Sequence, residues 1–342
     1  MAMEKRSAQT GRKAWADVCR CVAMLGVIVI HAGAPAFYQF GKLAPLDWWA
    51  VNFLDAFSRP AVPLFVMLSG ALLLRRDGAP VTLAEVFRRV LKIGVPLLAW
   101  SVFYVLWTAG FTVDAAALRA IVRGPVMYHL WFCYMILGLY LLLPLLQALF
   151  QAIVDRKDLC LYFLLLWFIV HCVTVYRPLA VLQPLGLAGV LGYGGYFVMG
   201  GVLAAHLRAG ARAPWLGLYV AASLLTCCLA GYFSARAGQS VETSYVYTSP
   251  NVLLASVGAF IALARTQPGK RGAQIAQWIS ARVFLIFFVH VLALAGMQRF
   301  LATLPGLPAS LSALLSTLGT ALLCLLAAFV LRCIPRSAVL LG

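Results

Sequence analysis

Three residues in the first strongly apolar stretch could do chemistry inside a membrane: Asp17, Arg20 and His31, within Trp15 to Ala34. That stretch is about long enough to cross a bilayer core of roughly 30 Å. An ionisable side chain there costs about 2.5–3.5 kcal/mol on insertion scales, so it faces a protein-lined or wet interior and marks function. Eleven steps at about 100° bring His31 back to within roughly 20° of Arg20, some 16 Å further along the axis. One polar stripe therefore runs from one end of this helix deep into the membrane. A histidine near its unperturbed pKa of about 6.5 can take a proton from a hydroxyl at neutral pH. Asp17, three residues before Arg20, can pair with it. The pair reads either as a structural ion pair at the boundary or as an arginine with a spare donor edge for a phosphate.

Further candidates follow along the chain. Arg59 precedes Pro60, which removes a backbone donor and predicts a kink or a late helix start. Arg59 then either snorkels to the outer boundary or faces a cavity. Arg88, Arg89 and Lys92 stand at the entrance of the third apolar run, and Arg89 and Lys92 share a face. They suit either plain anchoring or a clamp for an anionic cofactor. His129, with Trp131, opens the fourth run, and His290 lies within the ninth. Three membrane histidines in one bundle suggest proton handling more than packing, whereas His171 and His206 lie near span ends.

The elements that must position these groups are helices. The chain is 63% hydrophobic and 11% charged, outside the range of soluble domains. About ten spans are expected, near 15–38, 48–74, 86–109, 126–150, 159–176, 189–206, 214–233, 248–264, 278–297 and 311–333. Proline interrupts several of them, at Pro60 and Pro63, Pro96, Pro144 and Pro250. Broken helices at membrane depth are tolerated where they line a cavity. The expected fold is an all-α integral membrane bundle around a central polar cavity, with 1–342 a single domain and 1–13 a cytoplasmic N-terminal segment. No cleavable signal peptide is expected, because the first run is too long and carries charges.

The net charge of +17 invites nucleic acid, but its distribution argues against that partner. With the N-terminus inside, 19 of the 27 lysines and arginines fall on the inner side and 6 outside, leaving Arg20 and Arg59 within spans. The positive-inside rule accounts for this and puts both termini in the cytoplasm. The nine cysteines fall mostly in apolar runs without ligand pairing, so they read as small buried hydrophobes and no metal site is expected.

Five stretches taken together resemble the membrane-bound acyltransferase family 3. Asp17-x-x-Arg20-x10-His31 resembles the Arg-x10-His signature of its first helix, and VPLFVMLSGALLL (62–74) resembles its VPxFFxxSGYLL segment. Arg89-Val-Leu-Lys92 resembles its basic pair, YHLWFCYMILGLYLLLPLL (128–146) its HLWFLYxLxGLYLLxP run, and FLIFFVH (284–290) its late YLIH element. The similarity extends to the subgroup of surface-polysaccharide O-acetyltransferases that includes the one acting on enterobacterial common antigen. Two departures stand out. Lys92 replaces a second arginine and loses the bidentate fork, and Phe287 stands where tyrosine is typical. No fused esterase-like domain is expected, so the chain would deliver the acyl group itself or hand it to a separate protein.

The resemblance implies a multi-pass enzyme of the bacterial inner membrane, moving acetyl from cytoplasmic acetyl-CoA to a hydroxyl of a surface or lipid-linked glycan. His31 would be the catalytic base, aided by Arg20 and Asp17. Arg20, Arg88, Arg89 and Lys92 would hold the acyl donor, and Arg59, His129, Trp131 and His290 the acceptor. Membrane lipids are the remaining partners. The competing class is a polytopic exporter of a glycan or lipid precursor, for which intramembrane histidines and broken helices serve equally. The Arg20–His31 stripe with its basic mouth separates the two, since a carrier needs no phosphate clamp.

Overall fold

A computed structural model describes residues 2–108, 123–176, 187–207 and 209–331, with 110, 119 and 121 between the first two; side chains are described from 14 onward and, in the eighth helix, from 192. The expected N-terminal segment 1–13, most of the loops around 110–125 and 177–188, and the basic residues beyond 331 therefore lie outside the described side chains. Every regular element among the described residues is helical: α1 (Ala2–Phe37), α2 (Pro45–Ser58), α3 (Ala61–Leu73), α4 (Leu83–Thr108), α5 (Trp131–Leu141), α6 (Leu143–Val154), α7 (Lys157–Tyr176), α8 (Leu187–Ala205), α9 (Ala213–Ala237), α10 (Pro250–Ala264), α11 (Lys270–Ser280), α12 (Val283–Leu301) and α13 (Ala309–Leu331). Two short 3-10 turns, Tyr128–Leu130 and Thr243–Tyr245, precede α5 and α10.

Among the described residues, eight stretches are long and apolar enough to cross a membrane, or nine when the bent α5–α6 pair is taken as one span. The helix at the expected sixth span, α8, is bent at Gly192, where the backbone leaves helical geometry. Two of the proline signals act as expected, whereas Pro96 lies inside the continuous α4, Pro63 lies in the first turn of α3 and Pro250 opens α10 without interrupting it. Arg59-Pro60 divides α2 from α3 within one apolar run, and Pro144 sits in the first turn of α6 beyond a 65° bend. The ninth run differs from expectation. Residues 278–280 belong to α11, a separate polar-faced helix, and α12 begins only at Val283. Every fourth residue along α13 (Leu318, Leu322, Leu326) and α7 (Leu161, Leu165, Ile169) is exposed and apolar. Such outward stripes suit lipid, which needs no polar partner.

Contacts between connecting segments sort them to two ends of the bundle. At one end Arg75 pairs with Glu85 at 2.6 Å, Arg76 pairs with Asp155, and Arg265 donates to the Ala211 carbonyl at 2.6 Å. At the other, Ser240 and Trp48 both donate to the Phe37 carbonyl, and Asp47 accepts the backbone N–H groups of Ala309 and Ser310 at 2.7 Å each. A carboxylate is favoured at that helix start because it meets otherwise orphaned amides and the positive end of the helix dipole.

The closest crossing is between α3 and α8. A methyl group added at Gly70 would fall onto the Phe197 carbonyl, and one at Gly200 onto the Met67 carbonyl. Without Cβ atoms the two backbones touch, a close approach that small residues make possible in membranes. This crossing locks α3, whose Val62 and Phe65 face the cavity described below. Gly70→Ala or Gly200→Ala is expected to force the helices apart at a cost of about 1–3 kcal/mol or more. The melting temperature in detergent should fall, whereas Gly217→Ala, which meets open space on α9, should not lower it. Equal melting temperatures for all three variants would contradict this account.

Candidate active site

Three elements bring histidines together. His31 comes from α1, His129 from the 3-10 turn before α5, and His290 from α12. The His31 and His290 rings are 5.4 Å apart between centroids, and the His129 and His290 rings 5.1 Å. His290 is fully buried, and its Nδ1 lies 2.6 Å from the Phe287 carbonyl of its own helix. Neither ring nitrogen of His129 has a hydrogen-bond partner, although the residue is buried, and His290 Nε2 has none. Tyr128 packs edge-on against His31 at 4.9 Å, and Tyr104 against His129 at 5.3 Å. The Tyr104 hydroxyl is occupied, donating to the Phe288 carbonyl at 2.6 Å.

A cavity of about 30 Å³ opens beside this cluster, room for one or two water-sized groups. His31, His129, Trp131, Phe132, Tyr247 and Phe287 are among its walls. The expected central cavity is thus small and largely aromatic, and its polarity is concentrated in imidazole and one phenol. Phe287, the departure from the family pattern, lies against both His129 and His290, at 5.5 and 5.9 Å. Trp131 stacks on Tyr247 at 5.9 Å. Buried polar groups in proteins are nearly always hydrogen-bonded, so unpartnered imidazole nitrogens around a cavity indicate a place for a hydroxyl or another polar guest. Among the described residues, no group of three or more His, Cys, Asp or Glu could hold a metal.

The second polar centre lies at the other end of α1. Arg20 Nη1 donates to Asp17 Oδ1 at 3.0 Å and to Ser280 Oγ at 3.3 Å, while Ser280 Oγ donates to the same carboxylate at 2.7 Å. The trio pins α1 to the end of α11, so Asp17 and Arg20 have a structural partner that the sequence did not reveal. Arg89 on α4 is partly buried, with Arg88 and Lys92 exposed beside it. Arg89 and Arg20 both lie within electrostatic reach of Tyr140 on α5. Arg75, Arg76 and Arg156 are tied to acids. Arg88, Arg89 and Lys92 by contrast make no hydrogen bond or ion pair among the described residues. Free cations at the mouth of an apolar bundle can receive an anion, and guanidinium suits phosphate especially well.

The two centres are separate. The rise of α1 sets His31 about 16 Å from Arg20 and about 21 Å from Asp17. Asp17 therefore acts on Arg20 and not at the histidines. Arg59 does not snorkel. It is buried, with Nη2 on Asp55 at 2.7 Å, Nη1 directed at the Tyr245 carbonyl at 3.5 Å, and its guanidinium 4.1 Å above the Tyr245 ring. Its charge reaches His31, but its guanidinium is not among the cavity walls. The Asp55–Arg59 spacing of four residues was a legible helix-pair signal. Tyr247, in the short segment before Pro250, carried no local signal for a place at the cavity.

An acyltransferase domain model, that of acyltransferase family 3, matches residues 13–332. No curated protein and no solved structure matches the chain. The matched segment begins just before Asp17, takes in the histidine cluster and the basic mouth, and ends one residue beyond α13. The chain belongs to acyltransferase family 3.

Proposed function

We propose that this membrane acyltransferase moves acetyl from acetyl-CoA to a hydroxyl of a lipid-linked or surface glycan at the bacterial inner membrane. The similarity to the polysaccharide O-acetyltransferase subgroup motivates the choice of donor and acceptor. The observation that carries the reading is physical: His31 and the unpartnered His129 border a cavity, Arg20 lies about 16 Å from His31 along α1, and Arg88, Arg89 and Lys92 near the start of α4 form no ion pair among the described residues. Arg89, Lys92 and Arg88 bind the CoA phosphates at the mouth, joined by the donor edge that Arg20 keeps beyond its pair with Asp17. The pantetheine arm then follows the α1 face toward His31. The exporter alternative has no support in the family match.

His31 is the general base. It accepts the proton of the acceptor hydroxyl as the oxygen attacks the thioester carbon; the carbon–sulfur bond breaks and CoA leaves as the thiolate. His129, Trp131 and Tyr247 bound the space for that hydroxyl. Arg59 contributes by holding the Tyr245–Tyr247 segment in place. In this orientation the mouth and both termini face the cytoplasm, the arrangement the charge asymmetry favours.

Three experiments test the reading. With exposed Cys228 replaced, a thiol reagent added outside should label a cysteine introduced at Gln239 and miss one at Arg271; the reverse pattern would put the mouth on the wrong side. Arg89→Ala and Lys92→Ala are each expected to weaken acetyl-CoA binding by about 1–3 kcal/mol, less at high salt. Unchanged affinity in the double variant would reduce them to anchors. His31→Ala should lower transfer to candidate glycolipids by about 10²–10⁴ while acetyl-CoA binding, read by titration, persists. Near-normal turnover would remove His31 from the mechanism.

A further inference from the structure

The cluster contains one nitrogen whose chemical state the structure determines. A carbonyl oxygen only accepts, so the 2.6 Å contact from His290 Nδ1 to the Phe287 carbonyl requires a proton on Nδ1. In the neutral ring Nε2 is then a bare acceptor. That acceptor is buried and has no partner. Only a nearby N–H or O–H can satisfy it. Tyr104 is occupied at Phe288. The rings that remain in contact are His31 and His129. Both line the cavity, and His129, 5.1 Å from His290 with both nitrogens unpartnered, is the competing donor. His31 is the less buried of the two, so one of its nitrogens can turn toward His290 while the other meets the cavity. A hydrogen bond of about 2.9 Å between two imidazoles sets their centroids about 5 Å apart. The observed centroids are 5.4 Å apart with the ring planes 26° from parallel, so the bond is not formed in this structure and requires the rings to turn edge to edge. Catalytic hydrogen bonds are often long without substrate and tighten when it binds.

We propose that His290 is a positioning residue: its Nε2 accepts the ring N–H of His31 and so selects the tautomer whose bare nitrogen faces the acceptor hydroxyl. This rests on the reading of His31 as the general base. It assigns the α12 histidine an action through another residue, with no contact to the substrate. The Phe287 carbonyl fixes His290, His290 fixes His31, and the helical geometry of α12 underlies both.

The test compares three substitutions in the full-length protein in detergent or nanodiscs. His290→Gln carries an acceptor near the place of Nε2. His290→Asn keeps a donor near Nδ1 for the Phe287 carbonyl but offers nothing to His31. His290→Leu removes both. The chain has five histidines, so ¹⁵N-histidine NMR can follow the His31 ring nitrogens, assigned by their loss in His31→Ala. We expect one dominant His31 tautomer in the wild type and in His290→Gln, and a mixture in the Asn and Leu variants. Turnover should fall about 10–100-fold in the Asn and Leu variants, with KM for acetyl-CoA unchanged and partial recovery in the Gln variant. An unchanged His31 spectrum in His290→Leu would overturn the proposal. So would recovery by Asn and not by Gln, which would reduce His290 to a helix contact. A wild type with the expected tautomer response but no acetyl transfer would refute the functional reading and leave the positioning intact.

Discussion

The rise of one unbroken helix governs the arrangement of this protein. α1 carries Arg20 near one end and His31 deep in the bundle, and about 1.5 Å per residue leaves no freedom in their separation. Pro35 lies in the last turn, beyond His31, and does not interrupt that ruler. Asp17 and Ser280 hold one end, while His290 and Tyr128 pack against the other. A donor bound by its phosphates at the mouth and reacting at its far end would need such a fixed interval. The remaining helices keep α1 in place and close the space around it.

Polar side chains within the bundle divide into two populations. One is satisfied: Asn52 donates to the Cys227 carbonyl and Asn251 to Thr226 and the Ser244 carbonyl, and Arg59 meets Asp55 and Tyr245, although Arg59 Nε and Asp55 Oδ1 keep no partner. These bonds join α2, α9, α10 and the segment before α10, and in an apolar medium they specify one packing. The other population is unsatisfied, and both His129 nitrogens and His290 Nε2 belong to it. Several buried hydroxyls also lack partners, but a rotating hydroxyl reaches a helix carbonyl more easily than a planar ring can. His171 is unpartnered as well, yet it lies against Trp167 with no second imidazole on it among the described residues. Clustering around a cavity, more than lack of partners alone, separates a site from an isolated defect.

Close backbone packing supports that cluster from a distance. Gly70 and Gly200 let α3 and α8 touch, and α3 carries Val62 and Phe65 at the cavity. The glycine of the SGALLL segment therefore has a packing reason that needs no contact with substrate.

The sequence alone determined the membrane class, the positions of most helices, the breaks at Pro60 and Pro144, and the shared face of Arg20 and His31. Each of these follows from hydropathy, from a missing N–H or from a 3.6-residue period, which are local properties that reach across at most a few turns. Only the tertiary structure decided that His31, His129 and His290 converge and that Arg59 turns inward to Asp55. The same holds for the binding of Asp17 to Ser280 on α11 and for the late start of α12. These outcomes depend on which helix packs beside which. The bundle selects among apolar faces through contacts spread over the whole chain, and no local period records that choice.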